Sequence, residues 1–142
     1  MNFLEISRER KNLFYRYIWF VLGVMINSVG VALITKADLG TSPISSVAFV
    51  LSLKYPISFG TFLFAANMAF IIVQKILLGS NFKRMQWLQI VVNVLFSSVL
   101  DITMTVLKWL HPEELWIKLL VLIIGCMVLA LGICVEIAPG VL

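Results

Sequence analysis

The chain has 142 residues, of which 61% are hydrophobic and only 13% charged, with a formal net charge of +4. A soluble domain carries about a quarter charged residues, so this chain has too little polar surface to clothe a particle in water and reads as an integral membrane protein whose first partner is the lipid bilayer. The basic residues sit at the ends of apolar runs and no aromatic-plus-basic strip offers a base-stacking platform, which argues against nucleic acid as a partner.

Residues 1–16 are polar and basic, with Arg8, Arg10, Lys11 and Arg16 diluted by Glu5 and Glu9. This composition predicts a cytoplasmic segment, a short amphipathic helix on the inner leaflet. The transmembrane domain occupies the remainder, 17–142. Its first apolar run, about 17–34, is too long for a signal-peptide core and lacks a small-residue cleavage site, so it is read as a retained span. Tyr15, Tyr17 and Trp19 stand where an interfacial aromatic belt belongs. Gly23, Asn27 and Gly30 give the span one small, partly polar face.

A charged break follows, Thr35-Lys36-Ala37-Asp38-Leu39-Gly40-Thr41-Ser42-Pro43. Ser42 is a good N-cap and Pro43 is favoured at the first helical position. The helix they open, about 43–53, is about 16 Å long against about 30 Å of hydrocarbon, so it cannot span. It is expected to be a re-entrant or interfacial half-helix, ended by Lys54-Tyr55-Pro56. Lys36 and Asp38 are placed to pair with each other across the break.

Ser58-Phe59-Gly60-Thr61 opens the second span, about 58–78, in which Gly60, Asn67 and Gln74 share a face. Lys75, Lys83 and Arg84 flank a turn containing Gly79-Ser80-Asn81. The third span, about 85–110, carries Gln89, Asn93, Ser97, Asp101 and Thr105 at every fourth position. Hydrocarbon penalises such groups, so this stripe is expected to face protein or water. His111-Pro112-Glu113-Glu114 make a turn before the fourth span, about 115–135, with Gly125, Gly132 and then Glu136 on one face. Cys126 and Cys134 lie about 12 Å apart along that helix, too far to bridge, and are read as packing residues.

With four spans, Arg8, Arg10, Lys11, Arg16, Lys75, Lys83 and Arg84 fall inside, and Lys36, Lys54, Lys108 and Lys118 outside, seven against four. A spanning 43–53 segment would also leave seven inside, so charge does not decide and segment length does. It favours four spans with both ends cytoplasmic. Gly23 to Gly30 also aligns with Gly125 to Gly132, with a methionine at the same place. A repeat unit of three spans would be inverted in its second copy, the arrangement of secondary transporters. The expected class is therefore an all-α membrane protein, with four transmembrane helices, a short half-helix and a partial inverted repeat.

No nucleophile–base pair, phosphate loop or metal motif occurs, so neither an enzyme nor a cofactor is expected. The residues Lys36-Ala37-Asp38-Leu39-Gly40-Thr41-Ser42-Pro43, Ser58-Phe59-Gly60-Thr61, Asn67, Asp101 and Gly132-Ile133-Cys134-Val135-Glu136 resemble the YczE/YitT-like family of bacterial integral membrane proteins. The resemblance covers nearly all of the chain after Arg16. It implies a multi-pass bacterial plasma-membrane protein with a transport role and no firmly assigned substrate. Members of that family continue through a Pro-Gly-Glu-like break into further helices. Here the chain stops two residues after Pro139-Gly140, which is read as truncation at the C-terminus, with one side of a two-sided site present.

The leading functional expectation is a small-solute transporter, or the N-terminal portion of one. Asp38, Thr41 and Ser42 at the half-helix, with Asn27, Asn67, Asn93 and Asp101 on the spans, would hold a small anionic or polar solute. Asp101 and Glu136 would couple an ion. The alternative is a non-transporting scaffold or accessory subunit whose polar faces bind partner helices, in a homo-oligomer or with a complementing membrane chain.

Overall fold

The computed structural model describes residues 3–79 and 87–138, with side chains from Tyr15 onward. The expected turn residues Ser80, Asn81, Lys83 and Arg84, the segment Pro139-Gly140, and the side chains of Arg8, Arg10 and Lys11 lie outside the described residues.

Helix α1 runs from Phe3 to Lys36. It passes through Arg16 without a break, because neither glycine nor proline interrupts the sequence there. Helix α2 (Pro43–Lys54) starts on the Ser42 cap and stops at Tyr55, whose extended backbone is the conformation required before Pro56. Helix α3 (Phe59–Leu78) starts on the Ser58 cap and ends at Gly79 in a positive-φ conformation. Helix α4 (Leu88–Val106) tightens into a 3-10 turn, Leu107–Trp109, before the loop to α5 (Leu115–Ile137). Among the described residues, four stretches are long and apolar enough to cross a bilayer: Tyr15–Lys36, Phe59–Leu78, Leu88–Trp109 and Leu115–Ile137. The chain is thus an all-α, multi-pass membrane protein with one shorter apolar helix, as its hydropathy predicts.

Cross-helix contacts fix the directions. Asn27 of α1 meets Glu136 of α5, and Lys118 at the other end of α5 meets Asp38 just beyond α1, so these helices are antiparallel. Asp101 meets Gly60 and Asn93 meets Asn67, so α4 is antiparallel to α3. The end of α1, the C-terminal half of α2, the start of α3 and the end of α4 border one cavity. The spans therefore alternate in direction, and α2 leaves and returns at the same end of the bundle. Beneath α2 lies an apolar cluster of Ala32, Ala48, Phe59, Leu63 and Leu100, with the Phe49 ring edge-on to Phe59 at 5.6 Å. The exposed residues Ile44, Val47, Val50 and Leu53 make the outer face of α2 apolar, so the half-helix is suited to hydrocarbon rather than to a water-borne loop.

The α1–α5 contact is the most extensive in the bundle. It pairs Gly23 with Glu136, Asn27 with Gly132, Gly30 with Leu129 and Ile34 with Gly125. Each contact sets a glycine against a larger residue of the other helix. A methyl group added at Gly23, Gly30 or Gly125 would lie 2.6, 2.8 or 2.9 Å from a backbone nitrogen of the facing helix. Small residues allow this approach, and dispersion and close packing are what hold helices together where lipid supplies no hydrophobic drive. The glycine spacing that relates the two segments in sequence thus also matches them across their interface. Outside it, Cys126 and Cys134 are exposed on the outer face of α5, not packed inside as expected.

Candidate functional site

The break after α1 is a compact helix-to-helix turn. Ala37 is fully buried, and its N–H donates to the Leu33 carbonyl. Asp38 takes φ +54 and Gly40 φ +124, left-handed conformations that Asp tolerates and Gly favours. The Thr35 hydroxyl donates to the Val31 carbonyl and lies 3.5 Å from Thr41 Oγ1. Ser42 Oγ accepts from the Ser45 N–H at 3.3 Å, and the Ser42 carbonyl accepts from the Ser46 N–H at 2.8 Å. Since Pro43 has no N–H, most of the first turn of α2 is already satisfied from within, which weakens it as an anion seat. Asp38 pairs with Lys118 at 3.0 Å rather than with Lys36.

Asp101 is held at the start of α3. Its Oδ1 accepts the Gly60 N–H at 2.7 Å, and its Oδ2 accepts the Ser58 hydroxyl at 2.6 Å. Ser58 Oγ in turn accepts from the Thr61 N–H at 3.2 Å. The carboxylate thus completes the cap of α3 from a neighbouring helix, where the helix dipole also favours negative charge. Gly60 makes this possible, because a Cβ there would sit 2.7 Å from the Asp101 carboxyl carbon and still closer to the Ser97 carbonyl. The Ser58-Phe59-Gly60-Thr61 motif therefore has a packing reason at three of its positions: Ser58 caps, Phe59 enters the apolar cluster and Gly60 admits α4.

Above the apolar cluster is a cavity of about 570 Å³. Lys36, Asp38, Ser52, Ser58, Asp101, Thr105, Lys108, His111 and Glu113 supply its polar lining. Phe49, Leu53, Ile57, Phe59 and Met104 supply apolar wall. A second cavity of about 210 Å³ adjoins Asp38, Gly40 and Thr41. Of the residues expected to bind solute, Asp38 and Asp101 border the larger cavity, and Thr41 borders the smaller one. Ser42 is an exposed cap residue outside both.

The spans' asparagines are brought elsewhere. Asn67 Nδ2 donates to Asn93 Oδ1 at 2.9 Å, and Asn93 Nδ2 donates to the Phe64 carbonyl at 3.3 Å, joining α3 to α4. Asn27 Nδ2 donates to Glu136 Oε2 at 2.5 Å, joining α1 to α5. Asn27 Oδ1 has no hydrogen-bond partner among the described residues and lies over Gly132, where a side chain would collide with it. The fully buried Ser28 ties α1 to the Phe96 carbonyl of α4 at 2.8 Å. The two residues expected to couple an ion are not together: Leu100, next to Asp101, packs in the cluster with Ala32, whereas Glu136 packs on Gly23, about 13 Å further along α1.

The α4 stripe splits in the same way. Asn93 and Ser97 are buried, Asp101 is half-buried, and Gln89 and Thr105 are exposed. A four-residue step turns an α-helix by about 400°, so the stripe drifts by about 40° per step and leaves the interface at both ends. Lys36, Ser52, Lys108, His111 and Glu113 border the cavity without having been singled out from sequence as solute ligands. The available signal was their position in loops or helix ends assigned to one side of the membrane. No group of three metal-ligating side chains occurs among the described residues.

The profile of DUF6198, a family of unknown function, matches residues 14–142. The chain belongs to this family. No curated protein and no solved structure matches it.

Proposed function

We propose that this DUF6198 member is a small-solute membrane transporter, or the N-terminal portion of one, with the large end cavity as its solute vestibule. The observation that carries the reading is the cavity itself, about 570 Å³ with mixed charged and aromatic walls, beside a half-helix that is too short to span. That volume suits a small ligand, and half-helices beside solute sites are a device of transporters. The apolar cluster of Ala32, Ala48, Phe59, Leu63 and Leu100 under the vestibule would seal it from the other side of the membrane, as alternating access requires in one state. The resemblance of the Lys36 to Pro43 block to YczE/YitT-like proteins points the same way, towards a bacterial plasma-membrane protein, and the basic residues before the first span argue for a cytoplasmic N-terminus.

In this reading Asp38 and Asp101 shape the vestibule, while Asn27, Asn67, Asn93 and Glu136 hold the spans together beside it. Purified protein in proteoliposomes should give saturable uptake of a solute that also raises its thermal midpoint. Asp101→Asn and Asp38→Asn should alter that uptake. Uptake unchanged in both variants would overturn their roles.

A second reading, a membrane scaffold or accessory subunit, is favoured by one observation. The asparagines of the spans bond to other side chains of the bundle, in the pairs Asn67–Asn93 and Asn27–Glu136, rather than lining the vestibule. Co-purification of a stoichiometric membrane partner, with no solute effect on stability, would select this reading instead.

A further inference from the structure

We infer that α5 docks a span of a partner membrane chain along Cys126, Ala130 and Cys134, parallel to itself, as α1 docks α4. This holds whether or not the vestibule takes a solute, and it starts from the symmetry of the α1–α5 contact. Gly125 and Gly132 follow Gly23 and Gly30 at a common offset of 102 residues. Exchanging the two helices at that offset turns the Gly23–Glu136 contact into Ile34–Gly125, and Asn27–Gly132 into Gly30–Leu129. All four contacts are present, so the interface maps onto itself. A self-complementary antiparallel contact has a local twofold axis across the helices, here in the plane of the membrane. The helices α1 and α5 are therefore equivalent members of an inverted pair.

The equivalence extends to a second face. Ile18, Leu22 and Met25 of α1 are exposed, and so are their counterparts Leu120, Ile124 and Met127, a bulky flank suited to lipid. The third face differs. In α1 it holds Val24, Ser28 and Ala32, all buried. Ser28 donates to the Phe96 carbonyl and Ala32 shares the apolar cluster with Leu100, so α4 lies there, parallel to α1 and in step with it. The counterparts on α5 are Cys126, Ala130 and Cys134, all exposed. Among the described helices α5 packs extensively on α1 alone.

The occupant that the symmetry calls for is the inverted counterpart of α4, a span running parallel to α5. Small residues at a spacing of four let a helix approach closely, and close packing drives association where lipid supplies no hydrophobic drive. The stripe carries no charge, so the partner span meets it with aliphatic or aromatic side chains that fill the hollow over the three small residues. A second copy of this chain would set α5 against α5. The α1 precedent argues against that, because the helix on this face of α1 is α4 and not a helix of the α1 type.

The test is photo-crosslinking of the full-length chain in the membranes of the cells that make it. Benzoylphenylalanine is placed singly at Ile123, Ala130 or Ile137, which lie along the proposed face, and at Ile124 on the lipid flank as the control. Ile123 and Ile137 are already large and exposed, so a probe there leaves the hollow at Ala130 open. The three probes should attach to one span of one partner chain. The attachment point should advance by about seven residues from each probe to the next, in the direction of α5, because parallel helices rise together. The Ile124 probe should attach to no peptide. Attachment to α5 of a second copy would overturn the inference in favour of a homodimer. A partner span whose attachment points run in the opposite direction, or no peptide from any of the three probes, would overturn it as well. Ala130 does not line the vestibule, so these outcomes are separate from the success or failure of solute uptake.

Discussion

At the scale of single residues, the polar groups in the spans divide into those that build the bundle and those that border its cavity. Asp101 does both. Removing its side chain leaves the Gly60 N–H without its acceptor, so Asp101→Ala should lower unfolding stability by about 1–3 kcal/mol. Asp101→Asn, which keeps an acceptor at that distance, should recover most of the loss. Chemical unfolding in mild detergent measures both, and equal losses would show that the negative charge, not the acceptor, holds the α3 cap. Glycines test the same packing. Gly132→Ala puts a methyl into the Asn27 side chain and backbone and should cost about 1–3 kcal/mol, as overpacking does. Gly79→Ala meets nothing within 4 Å among the described residues and should cost only the strain of a backbone conformation, φ +51 with ψ −119, that side chains rarely adopt, about 1–3 kcal/mol. The Asp38–Lys118 pair has its Asp38 side chain 74% exposed, so Lys118→Gln should change stability by under about 1 kcal/mol, and less at high salt.

At the scale of elements, the spans were readable because about 20 apolar residues in a row have few alternatives to a transmembrane helix. The half-helix was readable from Ser42, Pro43 and its short length, and both cap and start are where those residues put them. Partners were not readable. Asn27, Asn67 and Asn93 announce contact with something polar, but sequence does not say whether that is a solute or another side chain, and here it is Glu136 and an asparagine pair. The register of α1 on α5 was half legible. Matching glycine spacings pointed to related helices, and only the structure reveals that these glycines face each other's helix in an antiparallel contact. The cavity was least legible, because Lys36, Ser52 and Lys108 come from three segments distant in sequence. For Lys36 and Lys108 the sequence offered only a count of charges on one side of the membrane.

At the scale of the molecule, α1 leads from the N-terminal side to the vestibule, so the cytoplasmic N-terminus proposed above would put the vestibule outside. A cysteine at position 111, in a background with Cys126 and Cys134 replaced by serine, should react with an impermeant maleimide added to intact cells. A cysteine at position 79, at the far end of α3, should react only after the membrane is opened. The reverse pattern would turn the bundle over and assign the vestibule to the cytoplasm. In the function proposed above, a small solute occupies the vestibule and is carried from it. Thr105 borders that space from an exposed position on α4, so Thr105→Trp should fill the space without disturbing the core. The most direct measurement is solute uptake by proteoliposomes holding wild-type or Thr105→Trp protein at matched folded amounts. Wild type should show saturable uptake, and the variant should lose it. Equal uptake by both, or none by folded wild type across anionic, neutral and cationic small solutes, would contradict the proposed function.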